Sequence, residues 1–272
     1  MSTMSLELPE PSQAALRKAR ALQRRRNRAE TGQFLVEGRQ AVREALGAPG
    51  AVESLYVRWD AALDNTDLLD EAKASGVPFF ALSEQNLATL TDTVTPQGVV
   101  AVANKIDVGL DSLPSAPSLV VICAQVRDPG NAGTVIRCAD AFGADAVVVS
   151  SDSVDVYNPK VVRASVGSLF HLPLVVGVEL SEAIDACRAR GMQVFGADGE
   201  ARLDLAGLGG RLAEPTAWVM GNESWGLPAE YLELVDQTVS VPMYGRAESL
   251  NLATAAAVCL YASASARRAS GE

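Results

Sequence analysis

A chain of 272 residues, 48% hydrophobic and 21% charged, suits two modest domains with real cores and excludes a disordered or fibrous chain. Its formal net charge of −10 argues against a uniformly basic nucleic-acid face, so any such affinity must come from local patches. Four cysteines without a C-x-x-C pair and a single histidine, His171, argue against a zinc site; Cys123, Cys138, Cys187 and Cys259 read as reduced core residues of a cytoplasmic protein.

Met1 to Gln13 carries Glu7, Glu10 and two prolines but no apolar run, so no signal peptide is expected. A helix is expected over Gln13–Asn27. Between Pro11 and Ala29 lie Arg17, Lys18, Arg20, Arg24, Arg25, Arg26 and Arg28 without an acid, a run that suits phosphate contact as well as a solvated face. Phe34–Val36 follows as an apolar segment, then a helix over Gly38–Leu46, a strand at Leu55–Val57, a helix near Asp67–Ala74 and the run Phe79–Leu82. Ser83 is a plausible N-cap for the next helix, and Val99–Ala103 closes this half as a strand. Residues 1–107 are expected to form one domain, 108–118 a linker with Gly109, Pro114 and Pro117, and 119–272 the second domain.

The second half alternates regularly. Apolar runs at 119–123, 146–149, 174–178, 193–195, 217–220 and 239–241 read as buried strands, with helices near 132–142, 158–168 and 181–190 between them. Strand–helix alternation of this kind predicts an α/β domain with a largely parallel sheet. Ser249–Ala266 is uncharged but rich in Ala, Ser and Thr, and reads as a buried helix rather than a membrane span.

Three junctions in this half carry glycine or capping residues where a strand gives way to a loop. Asn131, Gly133 and Arg137 follow the strand ending at Cys123; Asn131 is suited to cap the helix, and Arg137 lies one turn beyond Gly133. Gly221-Asn222-Glu223-Ser224-Trp225-Gly226-Leu227 follows the run 217–220, and places a glutamate at a strand's C-terminal end, where open α/β sheets bind ligands. Val241-Pro242-Met243 leads to Ser249-Leu250-Asn251 and the final helix. Each junction alone has a bland reading as a turn or a cap; three in one domain do not.

These residues resemble the SpoU, or TrmH-like, RNA methyltransferases of the SPOUT superfamily. The motif Asn-x-Gly-x-x-x-Arg is matched by Asn131, Gly133 and Arg137, the motif Gly-x-Glu-x-x-Gly-Leu by Gly221, Glu223, Gly226 and Leu227, and Ser-Leu-Asn by Ser249, Leu250 and Asn251. The likeness extends to Asn158–Ser168 and to the N-terminal Phe34–Leu46 segment. Leu252-Ala253 departs from the commoner Val-Ser.

The resemblance implies a C-terminal SPOUT domain with a parallel sheet and a deep trefoil knot, which topology rules alone would make improbable. It also implies a smaller N-terminal α/β RNA-binding domain resembling a ribosomal-protein fold, and a homodimer. The activity implied is methyl transfer from S-adenosylmethionine to a ribose 2′-hydroxyl of RNA, with no metal. Ribosomal RNA is preferred as the substrate over tRNA, because a dedicated N-terminal domain is more typical of rRNA-modifying relatives. The catalytic set is Arg137, Asn131, Glu223, Ser249 and Asn251. The cofactor set is Ala197, Asp198, Gly199, Met220, Gly221, Asn222, Glu223, Val241, Pro242, Met243, Ser249, Leu250 and Asn251. RNA contacts are expected from Arg24, Arg25, Arg26, Arg28, Arg137 and Arg163. Arginine stays protonated, so Arg137 is expected to hold a phosphate and lower the hydroxyl's pKa while phosphate, Ser249 or water takes the proton. Glu223 is expected to orient Arg137 or Asn131.

Three other classes fit less well. A hydrolase built on His171 with Ser165 or Ser168 lacks the G-x-S-x-G elbow, since Arg163 stands where the first glycine belongs. A dinucleotide-binding dehydrogenase lacks G-x-G-x-x-G. A non-catalytic RNA-binding protein on the same fold is disfavoured because every motif residue is present.

Overall fold

The computed structural model describes residues 8–93 and 95–271, so the first half of the Met1–Gln13 segment lies outside the described residues. In chain order the elements begin α1 (Gln13–Ala21), α2 (Arg25–Thr31), β1 (Gln33–Glu37), α3 (Arg39–Gly47), β2 (Val52–Arg58), α4 (Thr66–Ala74), β3 (Phe79–Leu82), α5 (Glu84–Ala88) and β4 (Val99–Asn104). They continue with β5 (Leu119–Cys123), α6 (Pro129–Ala141), β6 (Ala146–Ser150), α7 (Pro159–Ser165), β7 (Leu174–Val178) and α8 (Leu180–Arg188). The chain ends with β8 (Gln193–Ala197), β9 (Thr216–Met220), α9 (Ala229–Leu232), β10 (Gln237–Val239) and α10 (Leu252–Ser270). The chain forms two compact units: one runs to Ile106 and includes Tyr157–Phe170, the other comprises Asp107–Val156 and His171 onward.

The first unit is a four-stranded sheet in the order β1-β4-β2-β3, with β4 antiparallel to both neighbours and β2 parallel to β3. Leu16 and Ala19 from α1 and Leu22 just after it pack with Leu35, Tyr56, Leu82, Leu87 and Val100. Ser83 does cap α5, accepting from the Asn86 N–H at 3.2 Å. The single helix expected over Gln13–Asn27 is two helices. Their break is held by α2 side chains: Arg28 Nη1 donates to the carbonyls of Leu22 (2.9 Å) and Gln23 (3.0 Å), and Asn27 Nδ2 to that of Ala21 (2.7 Å). Those carbonyls, left over at the end of α1, find donors without water.

This corrects one expected RNA contact. Arg28 is 2% exposed and spends its guanidinium on backbone carbonyls, so it is a structural residue. Arg24, Arg25 and Arg26 are exposed, with Arg26 Nε 2.7 Å from Glu30 Oε1. Arg163, on α7, is also committed within this unit, facing Glu37 at 3.3 Å and Asp92 at 3.4 Å; its charge is matched by carboxylates rather than offered to RNA. The helix expected over 158–168 stops at Ser165, because Val166 (φ 51°) and Gly167 (φ 95°) both turn left-handed.

The second unit is a six-stranded, wholly parallel sheet in the order β10-β8-β9-β5-β6-β7. β5, β6 and β9 are buried along their whole length, which is why they read as unbroken apolar runs. Residues 108–118 pack on this unit instead of linking freely: the Val108 N–H donates to the Leu174 carbonyl at 2.9 Å, and Leu113 is buried. The last strand covers 237–239 rather than 239–241, with Val239 in register with Ala197. Helix α10 starts at Leu252 and buries Ala256, Cys259, Leu260 and Ser263; the fully buried Trp218 donates Nε1–H to Ser263 Oγ at 3.0 Å. Among the described residues no helix is long and apolar enough to cross a membrane.

All four cysteines are free. Burial pushes the thiols of Cys123 and Cys259 up to about 12 and that of Cys187 up to about 11, so they stay protonated and unreactive. Glu223's charge adds to the shift at Cys123. His171 is exposed, its Nδ1 2.8 Å from Asp140 Oδ2.

Candidate active site

The three glycine-bearing junctions converge at the C-terminal edge of the parallel sheet. A cavity of about 510 Å³ is lined there by the ends of β8 (Ala197 to Glu200), β9 (Met220 to Leu227) and β10 (Val239, Val241, Met243), and by Glu248 to Leu250 before α10. The size falls within the range of small-molecule sites, roughly 300–1,000 Å³. Of the expected cofactor set, Pro242 and Asn251 do not line this cavity; Ala197, Asp198, Gly199, Met220, Gly221, Asn222, Glu223, Val241, Met243, Ser249 and Leu250 do.

Gly221 fixes the loop after β9. A Cβ at this position would lie 2.4 Å from the Gly226 carbonyl carbon and 2.7 Å from the Leu227 nitrogen, so no other residue lets the chain close on itself. The closure is a pair of hydrogen bonds between Asn222 and Gly226, at 2.8 and 2.9 Å, with Gly226 left-handed at φ 68°.

Glu223 organises the polar side of the site. Oε1 accepts from the Asp128 N–H (3.1 Å) and from Asn131 Nδ2 (3.1 Å), and Oε2 accepts from the Arg127 N–H (3.3 Å). Asn131 Oδ1 in turn accepts from Asn251 Nδ2 at 3.0 Å, and Asn251 Oδ1 caps α10 through the N–H groups of Ala253 and Thr254. One residue from each motif is thus joined in a single chain of hydrogen bonds, Glu223–Asn131–Asn251. The α6 cap is Asp128, not Asn131: its Oδ1 accepts from the Asn131 N–H at 2.8 Å, with Pro129 at the first helical position. Asp-Pro is a common helix start, and that signal was present in the sequence. The cap leaves the Asn131 side chain free for the network.

Arg137 is not part of this group. It is exposed on α6, its side chain forms no hydrogen bond or ion pair among the described residues, and Glu223 bonds to Asn131 rather than to Arg137. The geometry of a helix explains this. Residues 131 and 137 are six apart, and six steps of about 100° leave their side chains roughly 120° apart around the axis. Ser249 is exposed at the rim.

Gln125, which sequence reasoning missed, braces the glycine loop. Its backbone is left-handed (φ 57°), its carbonyl accepts from Asn222 Nδ2 at 2.7 Å, and its Oε1 accepts from Trp225 Nε1 at 3.3 Å. A positive φ at a non-glycine residue leaves no trace in sequence. Among the described residues no cluster of three or more His, Cys, Asp or Glu is placed to hold a metal.

Fold and site define a parallel α/β protein that binds a small ligand across the carboxyl ends of its strands. A family model described as the SpoU rRNA methylase family matches residues 118–261, and one described as the MRM3-like substrate-binding domain matches residues 14–101. The chain is 37% identical, over 88% of its length and 92% of the relative's, to the 23S rRNA (guanosine(2553)-2′-O)-methyltransferase RlmP of Bacillus subtilis. It is 34% identical, over 87% of its length and 84% of the relative's, to the 23S rRNA (uridine(2479)-2′-O)-methyltransferase of Streptomyces viridochromogenes. Among solved structures, the SpoU methyltransferase AviRb from Streptomyces viridochromogenes in complex with AdoMet aligns with a TM-score of 0.82 at 33% identity, over 95% of this chain and 100% of that one. An AdoMet-bound rRNA methyltransferase from Sinorhizobium meliloti aligns with a TM-score of 0.82 at 30% identity, over 96% and 97%. The chain belongs to the SpoU rRNA methylase family.

Proposed function

We propose that this protein transfers a methyl group from S-adenosylmethionine to a ribose 2′-hydroxyl of RNA, with ribosomal RNA as substrate. The observation that carries the reading is the Glu223–Asn131–Asn251 chain, which ties all three family motifs to the rim of one cavity. The cavity's lining fits the cofactor. Met220, Leu227, Val239, Val241 and Leu250 suit a flat base, and Asp198, Glu200, Glu223 and Glu248 suit ribose hydroxyls and positive charge. A Cβ on Gly199 would meet nothing within 4 Å, so that wall is open to a ligand.

When bound, the cofactor would supply a methyl group on a positively charged sulfur whose leaving group is a neutral thioether, so no acid would be needed from the protein. The chain's own residues position the attacking ribose and help remove its proton. Asn131 and Asn251, fixed by Glu223, hold the substrate and the loop. Arg137 holds the phosphate beside the target ribose, and its permanent charge lowers the hydroxyl's pKa. Phosphate, Ser249 or water takes the proton.

The protein acts as a homodimer in the cytoplasm, carrying the family's trefoil knot. Support for the dimer comes from Arg137, whose side chain has no partner among the described residues and is not in the lining of the cavity in its own chain. A second copy can bring it there. Residues 1–107 bind RNA, and 119–272 carry the chemistry.

Mapping 2′-O-methylated nucleotides in rRNA and tRNA from cells with and without this gene tests the substrate. One rRNA position should lose its methyl group; loss confined to tRNA overturns the rRNA assignment. S-adenosylmethionine should bind the purified protein in calorimetry with chelator present, and binding only after a divalent ion is added would contradict the metal-free reading. Replacing Arg24, Arg25 and Arg26 with alanine should weaken RNA binding and flatten its salt dependence, by up to about one log–log unit per lost phosphate contact, without touching cofactor affinity. An unchanged slope reduces the cluster to a solvated face.

A further inference from the structure

Trp225 is 54% exposed while lining the rim of the cavity. An indole left in water forgoes the stabilisation that burial would give it, and a flat aromatic face at the rim of a binding cavity is placed to contact what enters there. This ring is anchored. Its Nε1 donates to Gln125 Oε1 at 3.3 Å, and the paired Asn222 and Gly226 close the loop around it. Gln125 is itself held: its N–H donates to Ser150 Oγ (3.1 Å) and its Nε2 to the Tyr231 hydroxyl (3.3 Å).

Beside the ring stands a cation. The Arg127 guanidinium lies 5.6 Å from the Trp225 centroid and is exposed, with no carboxylate partner among the described residues. Its backbone N–H is held by Glu223, the same carboxylate that fixes Asn131. Ring, cation and the asparagine pair are therefore one connected unit at the mouth of the site.

We infer that Trp225 and Arg127 form a stacking platform for a nucleotide of the RNA substrate, with the indole taking a base and the guanidinium a neighbouring phosphate. The inference rests on the site being that of an RNA methyltransferase. RNA bases that are splayed from a helix are held by aromatic faces and arginine, and stacking tolerates any base because each has a π-face. A target ribose presented to Asn131 and Asn251 needs its nucleotide held out of the stack, and this platform is adjacent. Trp225 sets the position of the nucleotide and not its identity.

The test measures the KM for an unmodified large-subunit rRNA transcript and, separately, the Kd for S-adenosylmethionine by calorimetry, in wild type, Trp225→Ala, Trp225→Phe and Arg127→Ala. Trp225→Ala should raise the RNA KM about tenfold or more, while Trp225→Phe, which keeps a π-face, recovers most of that loss. Arg127→Ala should raise the RNA KM and flatten its salt dependence. Cofactor Kd should stay within about twofold of wild type in all three variants. An unchanged RNA KM in Trp225→Ala overturns the platform. So does a cofactor Kd that weakens enough to explain the loss, which makes Trp225 a cover for the cofactor. A change in sedimentation that tracks the loss makes it a contact between copies and also overturns the platform. Wild-type protein that methylates no RNA overturns the underlying reading and the platform with it, whereas wild-type transfer with an unaffected Trp225→Ala variant overturns the platform alone.

Discussion

Arg137→Ala is expected to lower single-turnover methyl transfer by about a hundredfold or more while leaving fold and cofactor affinity intact, the usual scale for losing one electrostatic stabiliser. Lysine should rescue it poorly, because a point charge cannot make the planar two-pronged contact with a phosphate. Asn131→Ala should also be impaired, and the double variant should lose less than the product if the two residues act on one transition state. Because Arg137 is exposed and contributes nothing to its own chain's cavity, the loss should be complemented in trans. In the proposed homodimer, mixing Arg137→Ala with a variant defective in its cavity should restore about a quarter of wild-type activity, since half the random dimers would be mixed and each would have one intact site. A near-normal rate in Arg137→Ala would remove the residue from the chemistry. Failure to complement would place its action within one chain.

The cavity-defective partner is the second large effect. Gly221→Ala places a methyl group 2.4 Å from the Gly226 carbonyl carbon and 2.5 Å from its oxygen, both backbone atoms that cannot rotate away. The Asn222–Gly226 pair must open, and with it the wall that carries Glu223. Overpacking of this kind costs about 1–3 kcal/mol or more, and spent at the cavity it weakens S-adenosylmethionine binding roughly ten- to hundredfold. Calorimetry reads the affinity, and thermal unfolding checks that the fold survives. Unchanged cofactor affinity would show that the loop after β9 is not part of the cofactor site.

What was legible in the sequence followed burial. β5, β6 and β9 are covered on both faces, so each is a continuous apolar run with glycines or polar residues at its end. The strand ends that form the site could be found because tight closure demands glycine, and Gly221 and Gly226 stand where the chain turns. Charge was a poorer guide. Arg28 and Arg24 sit in the same basic run, yet Arg28 is buried on the carbonyls of Leu22 and Gln23 just after α1, and Arg24 is exposed. Only the tertiary packing of α2 against the end of α1 separates them. The same holds for Arg163, whose partners Glu37 and Asp92 are far away in sequence. Spacing placed Asn131 and Arg137 in one motif, and helical periodicity then pointed them to different sides of α6. Gln125 was invisible, because a strained backbone angle has no signature in composition.

The chemistry at the ribose has a direct test. The purified protein is incubated with methyl-labelled S-adenosylmethionine and an unmodified large-subunit rRNA transcript, and the RNA is then hydrolysed in alkali. A methylated 2′-oxygen cannot attack the adjacent phosphate, so the label should emerge in an alkali-resistant dinucleotide, and Arg137→Ala should slow its appearance by about a hundredfold or more. Label released in mononucleotides, or no label in the RNA, would contradict ribose 2′-O-methylation.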